Sequence, residues 1–586
     1  MKTLSITIAS VFTIGGLLEA TETKPNVLFI AVDDMRCDLG CYGSKEVLSP
    51  NIDRLASSGV RFDRAYCQVA VCNPSRASLM TGLRPDTLRV WDLPTNFRTT
   101  TPDAVTLPQH FRKHGYRAVA FGKIFHNPFP DDVSWDEPTH QATGVKNYSE
   151  SNQQRLAIFK KQMVDSGKPK AAVERMRGPA TEIQDVDDDG NFDGKQTTDA
   201  IARMRELAAA EQPFFLAVGY IRPHLPLVTP KKYWDLYQRD KITLAPNPSF
   251  PRDMPAVAFG DRSMGGFYEL RDYMDYADAP SPFDAHLSED QQRELKHGYY
   301  ASVSFVDAQV GRLLDALEQQ GLAQNTIVVL WSDHGWKLGE HGGWCKQTNY
   351  EIDTRAPLIV RAPNAKAKGQ SCSALVEFVD VYPTLCDLAQ LPTPTVLEGK
   401  SFAPLLSDTD APHKDAAFSQ FERTHEGREF MGCAIRTDRY RYIEWRHRNS
   451  GKVEARELYD HQTDPQEDQN IADAADHQIL IQELSARAFQ NFRPASWGKT
   501  AAAERPKLTV VNNGRQAVDI FWLPEKGEPK KSGTLAQGER QVIKTTMGHR
   551  FLIQGTKTGF KQTITVTEDT QQFVLNAAPN KKAVHP

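Results

Sequence analysis

Asn26-Val-Leu-Phe-Ile-Ala-Val32-Asp33-Asp34 reads as a strand that runs straight into two carboxylates. Its apolar stretch has no polar alternation, which marks an interior strand buried on both faces rather than a half-exposed one. Similar runs follow at 116–121, 214–218, 326–330 and 357–360. Between them lie amphipathic stretches such as 302–320, where Val303, Val306, Val310, Leu313, Leu314 and Leu317 recur at helical spacing. Strands alternating with helices give the α/β class, a mixed, mostly parallel sheet covered on both faces over 21–400.

Four of these strands end in polar residues. The first ends in Asp33-Asp34, the second in Gly122-Lys123-Ile-Phe-His126, the third in Tyr220-Ile-Arg222-Pro-His224, the fourth in Ser332-Asp333-His334-Gly335. Ligands bind at the carboxyl ends of strands in open α/β sheets. Any one of these residues alone is an ordinary solvated loop charge, whereas four strand ends loaded alike make one shared site the expectation. Three carboxylates and a histidine form an oxygen-rich cation set, and adjacent aspartates repel unless a cation lies between them. Composition leaves Ca²⁺, Mg²⁺ and Zn²⁺ open.

The 586 residues exceed one ordinary domain, and a formal charge of −4 lacks the basic footprint of a nucleic-acid binder. Residues 1–20 read as an export signal, with Lys2 before a short apolar stretch and Ala20 at a cleavage point. No other run reaches membrane-spanning length, so the expected location is periplasmic or secreted. Eight cysteines are too few for a disulfide scaffold, although Cys372/Cys386 and Cys37/Cys41 are candidate pairs. Residues 401–504 look like a small α+β subdomain and linker. Within it, 440–445 alternates like an edge strand and 476–492 like a helix. Residues 505–586 carry short Thr/Val/Ile-rich strands with turns at Asn513-Gly514 and Gln537-Gly538, an all-β module.

The most specific segment is Cys72-Asn-Pro-Ser-Arg76, continuing Ala-Ser-Leu-Met-Thr81-Gly82. A lone cysteine is usually a small buried residue, but this spacing resembles the signature of type I sulfatases of the alkaline phosphatase superfamily. Asp33-Asp34-Met-Arg, Gly40-Cys41-Tyr42-Gly43, Arg84-Pro-Asp86, Gln309-Val-Gly-Arg-Leu-Leu314 and Ser332-Asp-His-Gly-Trp336 extend the likeness over roughly 24–490, and the Lys123-x-x-His126 spacing resembles the iduronate-2-sulfatase branch. The resemblance implies an alkaline-phosphatase-like sulfatase core. It also implies that a maturation enzyme converts Cys72 to formylglycine, whose hydrate attacks sulfur and later expels sulfate. By the same resemblance Asp33, Asp34, Asp333, His334 and residue 72 hold Ca²⁺, and Arg76 stabilises the nucleophile. Lys123 and Lys346 grip sulfate, His126 is the base for elimination, and His224 is the acid for the leaving oxygen. The implied substrate is a sulfated oligo- or polysaccharide, a uronic-acid-containing glycan above all. Arg98, Arg222, Trp336 and Trp344 are weaker candidates for sugar contact. Two alternatives stand beside this reading: a phosphodiesterase or phosphonate hydrolase of the same superfamily, and an inactive glycan-binding relative.

Asp185-x-Asp187-x-Asp189-Gly190 imitates an EF-hand loop, but Gln196 stands where the bidentate glutamate belongs. Phe521-Trp-Leu-Pro-Glu-Lys-Gly-Glu-Pro529 with Gly548-His549 resembles the β-domain of the von Hippel-Lindau protein. There Trp522 and His549 match its hydroxyproline pocket while Ser532, Thr546 and Phe551 replace its Tyr, Tyr and Trp, so the fold carries over and the pocket does not. Residues 505–586 hold thirteen Lys and Arg against six Asp and Glu, a net of +7, leaving −11 on the remainder. Such a module either tethers a polyanionic glycan or serves packing and solubility.

Overall fold

The computed structural model describes residues 24–492 except 211 and 261–263, and 507–576 except 525–527, 546–548, 558 and 567–569. The expected export signal and the expected linker near 493–506 lie outside the described residues.

A seven-stranded sheet forms the centre. Its strands are β1 (Asn26–Asp33), β2 (Val60–Tyr66), β3 (Arg117–Gly122), β4 (Phe214–Pro223), β5 (Thr326–Ser332), β6 (Leu358–Arg361) and β7 (Ser371–Glu377), in spatial order β7-β2-β6-β5-β1-β4-β3. Only β6 runs antiparallel to its neighbours, so the sheet is mixed and mostly parallel, as expected. β1 is buried along its whole length. Val27, Phe29 and Ala31 enter one core, while Leu28, Ile30 and Val32 enter the other, because successive side chains point to opposite faces.

Helices cover both faces. On the first face lies α2 (Cys72–Thr81), contributing Ala77, Leu79 and Met80. On the second lie α1 (Pro50–Ser58), α3 (Phe192–Ala209) and the 31-residue α4 (Glu289–Gln319). α4 begins at Glu289, thirteen residues before the apolar spacing announced it, and the Ser288 side chain caps it with Gln291. The four strands with loaded ends, β5, β1, β4 and β3, are consecutive parallel neighbours. Their carboxyl ends therefore lie side by side.

A second sheet, antiparallel, contains β8 (Ala416–His425), β9 (Arg428–Thr437), β10 (Tyr440–His447) and β11 (Val453–Asp460) in that order, backed by α5 (Gln478–Asn491). β10 is interior, correcting the edge-strand reading. Its charges are buried because they are paired: Arg441 meets Glu467 and Glu351, and Glu444 meets Arg446. The tail forms two small sheets. One has the strand Lys507–Asn513 between Arg540–Lys544 and Thr570–Asn576. The other runs Lys530–Leu535, Val518–Leu523, Arg550–Gly555, Lys561–Thr565. They share a core of Leu508, Val510, Val518, Ile520, Phe551 and Ile553.

All eight cysteines are free thiols, so neither candidate disulfide forms. The EF-hand-like carboxylates turn to separate partners. Asp187 caps Gly190 N (2.9 Å), Asp189 accepts from Thr198 Oγ1, and Asp193, at the ninth position of such a loop, accepts from the Ile221 and Arg222 amides. Among the described residues, no helix is long and apolar enough to cross a membrane.

Candidate active site

Asp33 closes β1, and Asp34 turns off it in the left-handed region, φ 62°. A non-glycine residue there costs about 1 kcal/mol or more, so its surroundings must over-determine it. They do. Asp34 N donates to Asp333 Oδ1 (3.1 Å), the Asp34 carbonyl accepts from Tyr299 Oη (2.7 Å), and Met35 N donates to Ser332 Oγ (2.8 Å).

Cys72 opens α2, a helix whose ten residues are all buried. Arg76 lies one turn on, on the same face. Its Nε donates to Asp333 Oδ2 (2.8 Å) and its Nη2 to Asp33 Oδ1 (2.9 Å). Its Nη1 donates to the Lys123 and Ile124 carbonyls (2.5 and 3.0 Å). One guanidinium thus ties three strand ends together, which its planar fork allows and a lysine would not. Lys123 Nζ donates to the other Asp33 oxygen.

The adjacent aspartates titrate in opposite directions. Burial alone would raise Asp33, but Lys123 and Arg76 hold it well below the usual carboxylate range. Burial pushes Asp34 well above that range; Lys346 offsets part of this, while Asp33, Glu269 and Asp333 add to it. Asp34 therefore lacks compensating charge.

His334 explains what would supply it. Its Nδ1–H donates to the Gly335 carbonyl (2.9 Å), and burial lowers its pKa, so the ring is neutral and Nε2 presents a lone pair. That lone pair lies 3.2 Å from Asp34 Oδ1, 3.5 Å from Cys72 Sγ and 3.6 Å from Asp333 Oδ1. The ligand atoms of Asp34, Cys72, Asp333 and His334 all fall within 4.8 Å of one another. Acceptors facing each other in a dry pocket repel unless a cation joins them. Carboxylate oxygens with one imidazole suit a hard divalent ion such as Ca²⁺.

The rim carries the remaining candidates. Lys346 Nζ donates to Asp34 Oδ2 (2.9 Å) and lies 4.9 Å from the Trp336 ring centre. His224 donates from Nδ1 to the Leu225 carbonyl (2.6 Å), which aims Nε2 inward, 3.8 Å from Asp34 Oδ2. His126 has a buried Nδ1 without a partner, and burial and Lys123 bring its pKa down to about 3.

A model of the sulfatase family matches residues 25–391, more than half of the chain. The chain belongs to the sulfatase family. A model of the C-terminal part of N-sulphoglucosamine sulphohydrolase matches residues 339–493. The iduronate 2-sulfatase of Mus musculus is 34% identical, covering 78% of this chain and 93% of its own; that of Homo sapiens is 34% identical, covering 82% and 98%. Among solved structures, a phosphonate monoester hydrolase from Silicibacter pomeroyi aligns with TM-score 0.60 at 24% identity over 80% of this chain and 94% of that one. A protein solved with its substrate D-glucosamine-2-N,6-O-disulfate aligns with TM-score 0.60 at 22% identity over 80% and 99%. These two likenesses concern the fold.

In this sulfatase, Asp33, Asp34, Cys72, Arg76, Lys123, His224, Asp333, His334 and Lys346 meet through the contacts above, and Lys123 sits close enough to depress His126. Three of the weaker sugar-contact candidates do not join them. Arg98 is spent on Asp131, Gln109 and the Ala104 carbonyl. Arg222 is buried with Nε on the Val228 carbonyl, and Trp344 lies in the core. Trp336 does reach the site, beneath Lys346. Sequence reasoning missed Glu269, whose Oε1 lies 3.2 Å from both Lys346 Nζ and His224 Nε2. Its signal was slight: the glycine pair Gly265-Gly266 just before it.

Proposed function

We propose that this sulfatase is an exported enzyme that hydrolyses sulfate esters on a sugar of a uronic-acid-containing, glycosaminoglycan-like glycan, using formylglycine made from Cys72 together with Ca²⁺. The observation that carries the reading is the state of Cys72. Burial and Asp33 push its thiol well above the ordinary range, and only the thiolate is a nucleophile. A cysteine at the centre of this constellation is therefore inert until it is chemically converted. Formylglycine supplies a hydrated aldehyde, one hydroxyl for attack and one for release, and bound Ca²⁺ supplies positive charge to the sulfate.

The chain's own groups would do the rest. Asp33, Asp34, Asp333 and His334 hold the cation. Arg76, fixed beneath residue 72 by two carboxylates, favours an ionised oxygen there. Lys123 and Lys346 grip the sulfate oxygens as fixed cations aimed at developing charge. His126, with a pKa near 3, is free of its proton at neutral pH, as a base must be. His224 presents Nε2 to the leaving oxygen. Burial and Lys346 hold its pKa well below the ordinary value, and an anionic ester beside it favours the protonated form. Residues 505–586 are assigned the role of a von Hippel-Lindau-like β-domain that tethers the polyanionic chain.

The relatives named iduronate 2-sulfatase support the uronate reading. The test incubates purified protein with sulfated uronate oligosaccharides, an aryl sulfate and an aryl phosphodiester, while mass spectrometry reads residue 72. Free sulfate with an aldehyde at residue 72 is expected. Faster phosphodiester cleavage, or turnover by protein carrying only unmodified cysteine, would overturn the proposal.

A further inference from the structure

We propose that Glu269 is a positioning residue for the departure of the alcohol, holding Lys346 and His224 together on the leaving-oxygen side of the sulfur. The inference rests on the sulfatase reading above.

One oxygen reaches both groups, and it holds His224 when Nε2 carries the proton destined for the leaving oxygen. Glu269 Oε1 lies 3.2 Å from Lys346 Nζ and 3.2 Å from His224 Nε2. Among the described residues, His224 is otherwise held through Nδ1 on the Leu225 carbonyl, with Asp34 Oδ2 3.8 Å from Nε2 and the Trp336 ring 6.4 Å away between centres. Lys346 has one other carboxylate partner, Asp34, and Asp34 belongs to the proposed cation site. Among the described residues, Glu269 is thus the carboxylate left to both groups once that site is in use. It lies outside the cluster of ligand atoms around Cys72 and His334, so its charge remains available to the rim.

The backbone is built to deliver it. Lys346 sits between Cys345 (φ 70°) and Gln347 (φ 81°), two non-glycine residues in the left-handed region. Strain of this kind persists only where the surroundings hold it and clusters at functional sites. The Glu269 segment is part of what holds it. Gly266, φ 93°, packs against the Lys346 carbonyl, where an added Cβ would come within 2.0 Å of the oxygen. Two residues on, Tyr268 Oη accepts from Gln347 Nε2 (2.9 Å). Residues 266–269 are therefore zipped to 346–347, and the carboxylate arrives at a set place. Its side chain is 16% exposed.

A group that acts through His224 has a distinctive kinetic consequence. Protonation matters little for an acidic phenol and greatly for a sugar hydroxyl, because general acid catalysis follows Brønsted behaviour. Loss of Glu269 should therefore grow with the basicity of the leaving group. The experiment measures kcat and KM for wild type, Glu269→Gln and Glu269→Asp on a series of aryl sulfates of decreasing phenol acidity, ending with a sulfated sugar. Expected for Glu269→Gln is a kcat loss of about 100-fold on the sugar sulfate and only a few-fold on the most acidic phenol, with KM near wild type, the scale of one general-acid contribution. Glu269→Asp, which keeps the charge on a shorter arm, should recover part of the loss and carries the test if the glutamine variant misfolds. A loss that is the same factor across the series, or that lies wholly in KM, overturns the inference and leaves the sulfatase reading standing. A wild-type protein that releases sulfate from none of the esters overturns both.

Discussion

Arg76 Nη2 donates to Asp33 Oδ1 at 2.9 Å, and neither side chain has any exposure to solvent. The same guanidinium binds Asp333, so it is the counter-charge for two buried carboxylates. Removing one partner of a buried ion pair costs about 3–5 kcal/mol, because the remaining charge is stranded. Arg76→Ala should lower unfolding stability by that amount, read as a shift in urea midpoint. Arg76→Lys should fall between, since one ammonium cannot reach both carboxylates and the two carbonyls. A midpoint unchanged in Arg76→Ala would show that water enters beneath residue 72.

Asp34 makes the opposite prediction. Its carboxyl is held well above the ordinary range by burial among Asp33, Glu269 and Asp333. A group whose folded pKa is raised destabilises the fold above its unfolded pKa, so its charge is a liability at neutral pH. Asp34→Asn should raise the melting temperature of cation-free protein while abolishing turnover. Ca²⁺ should raise the melting temperature of wild type and leave Asp34→Asn nearly unmoved. Equal Ca²⁺ shifts in the two proteins would place the ion elsewhere.

The contrast between these aspartates was not legible in the sequence, where they are neighbours of one kind. The strand ends were legible, because long apolar runs that stop at charged residues force those residues to one end of a parallel sheet. Two strands of the central sheet escaped notice. β2 carries Arg61, Asp63 and Arg64 on its partly exposed side, and β7 sits at the sheet's edge, so neither shows a continuous apolar run. β10 was misread as an edge because Arg441 and Glu444 look solvent-facing until their buried partners are known. Glu269 was missed for a different reason. Its place depends on a backbone contact between Gly266 and Lys346, eighty residues apart, and no local pattern encodes such a contact.

Cys72→Ser separates attack from release. A serine hydroxyl can take the sulfate but has no second hydroxyl with which to expel it. The variant should release no more than one equivalent of alcohol per protein and no free sulfate thereafter, with a mass increase on the peptide containing residue 72. Sustained turnover by this variant would rule out a formylglycine mechanism.

Glu340 couples the site's loops to pH. It accepts from Arg36 Nη1 (2.9 Å) and from Leu338 N (2.6 Å), joining the segment after Asp34 to the one leading to Lys346. Burial alone would raise its carboxyl, yet Arg36 and the Leu338 amide bring it from 4.5 down to about 2. A depressed carboxyl contributes stability above its unfolded pKa and loses it as pH falls through the folded value; a shift of this size corresponds to about 3 kcal/mol. Glu340→Gln should therefore be less stable than wild type by about that amount at pH 7. The gap should narrow as pH drops from about 4.5 toward 2. A gap independent of pH would assign the loss to packing.

The tail offers a test of binding apart from chemistry. Side-chain hydrogen bonds and ion pairs join tail residues to one another, as between Asn512 and the Leu535 carbonyl or Lys531 and Asp519. Its hydrophobic cluster is likewise its own. Deleting residues 505–586 should thus leave the melting temperature of the larger part and turnover of a small aryl sulfate unchanged. The deleted segment carries a net +7 against −11 elsewhere, and clustered positive charge draws polyanions in a salt-dependent way. Affinity for a sulfated polysaccharide should fall on deletion, and the difference between the two proteins should shrink as salt rises toward 1 M, where screening shortens to about 3 Å. Equal polysaccharide affinity in both proteins would leave the tail a packing module.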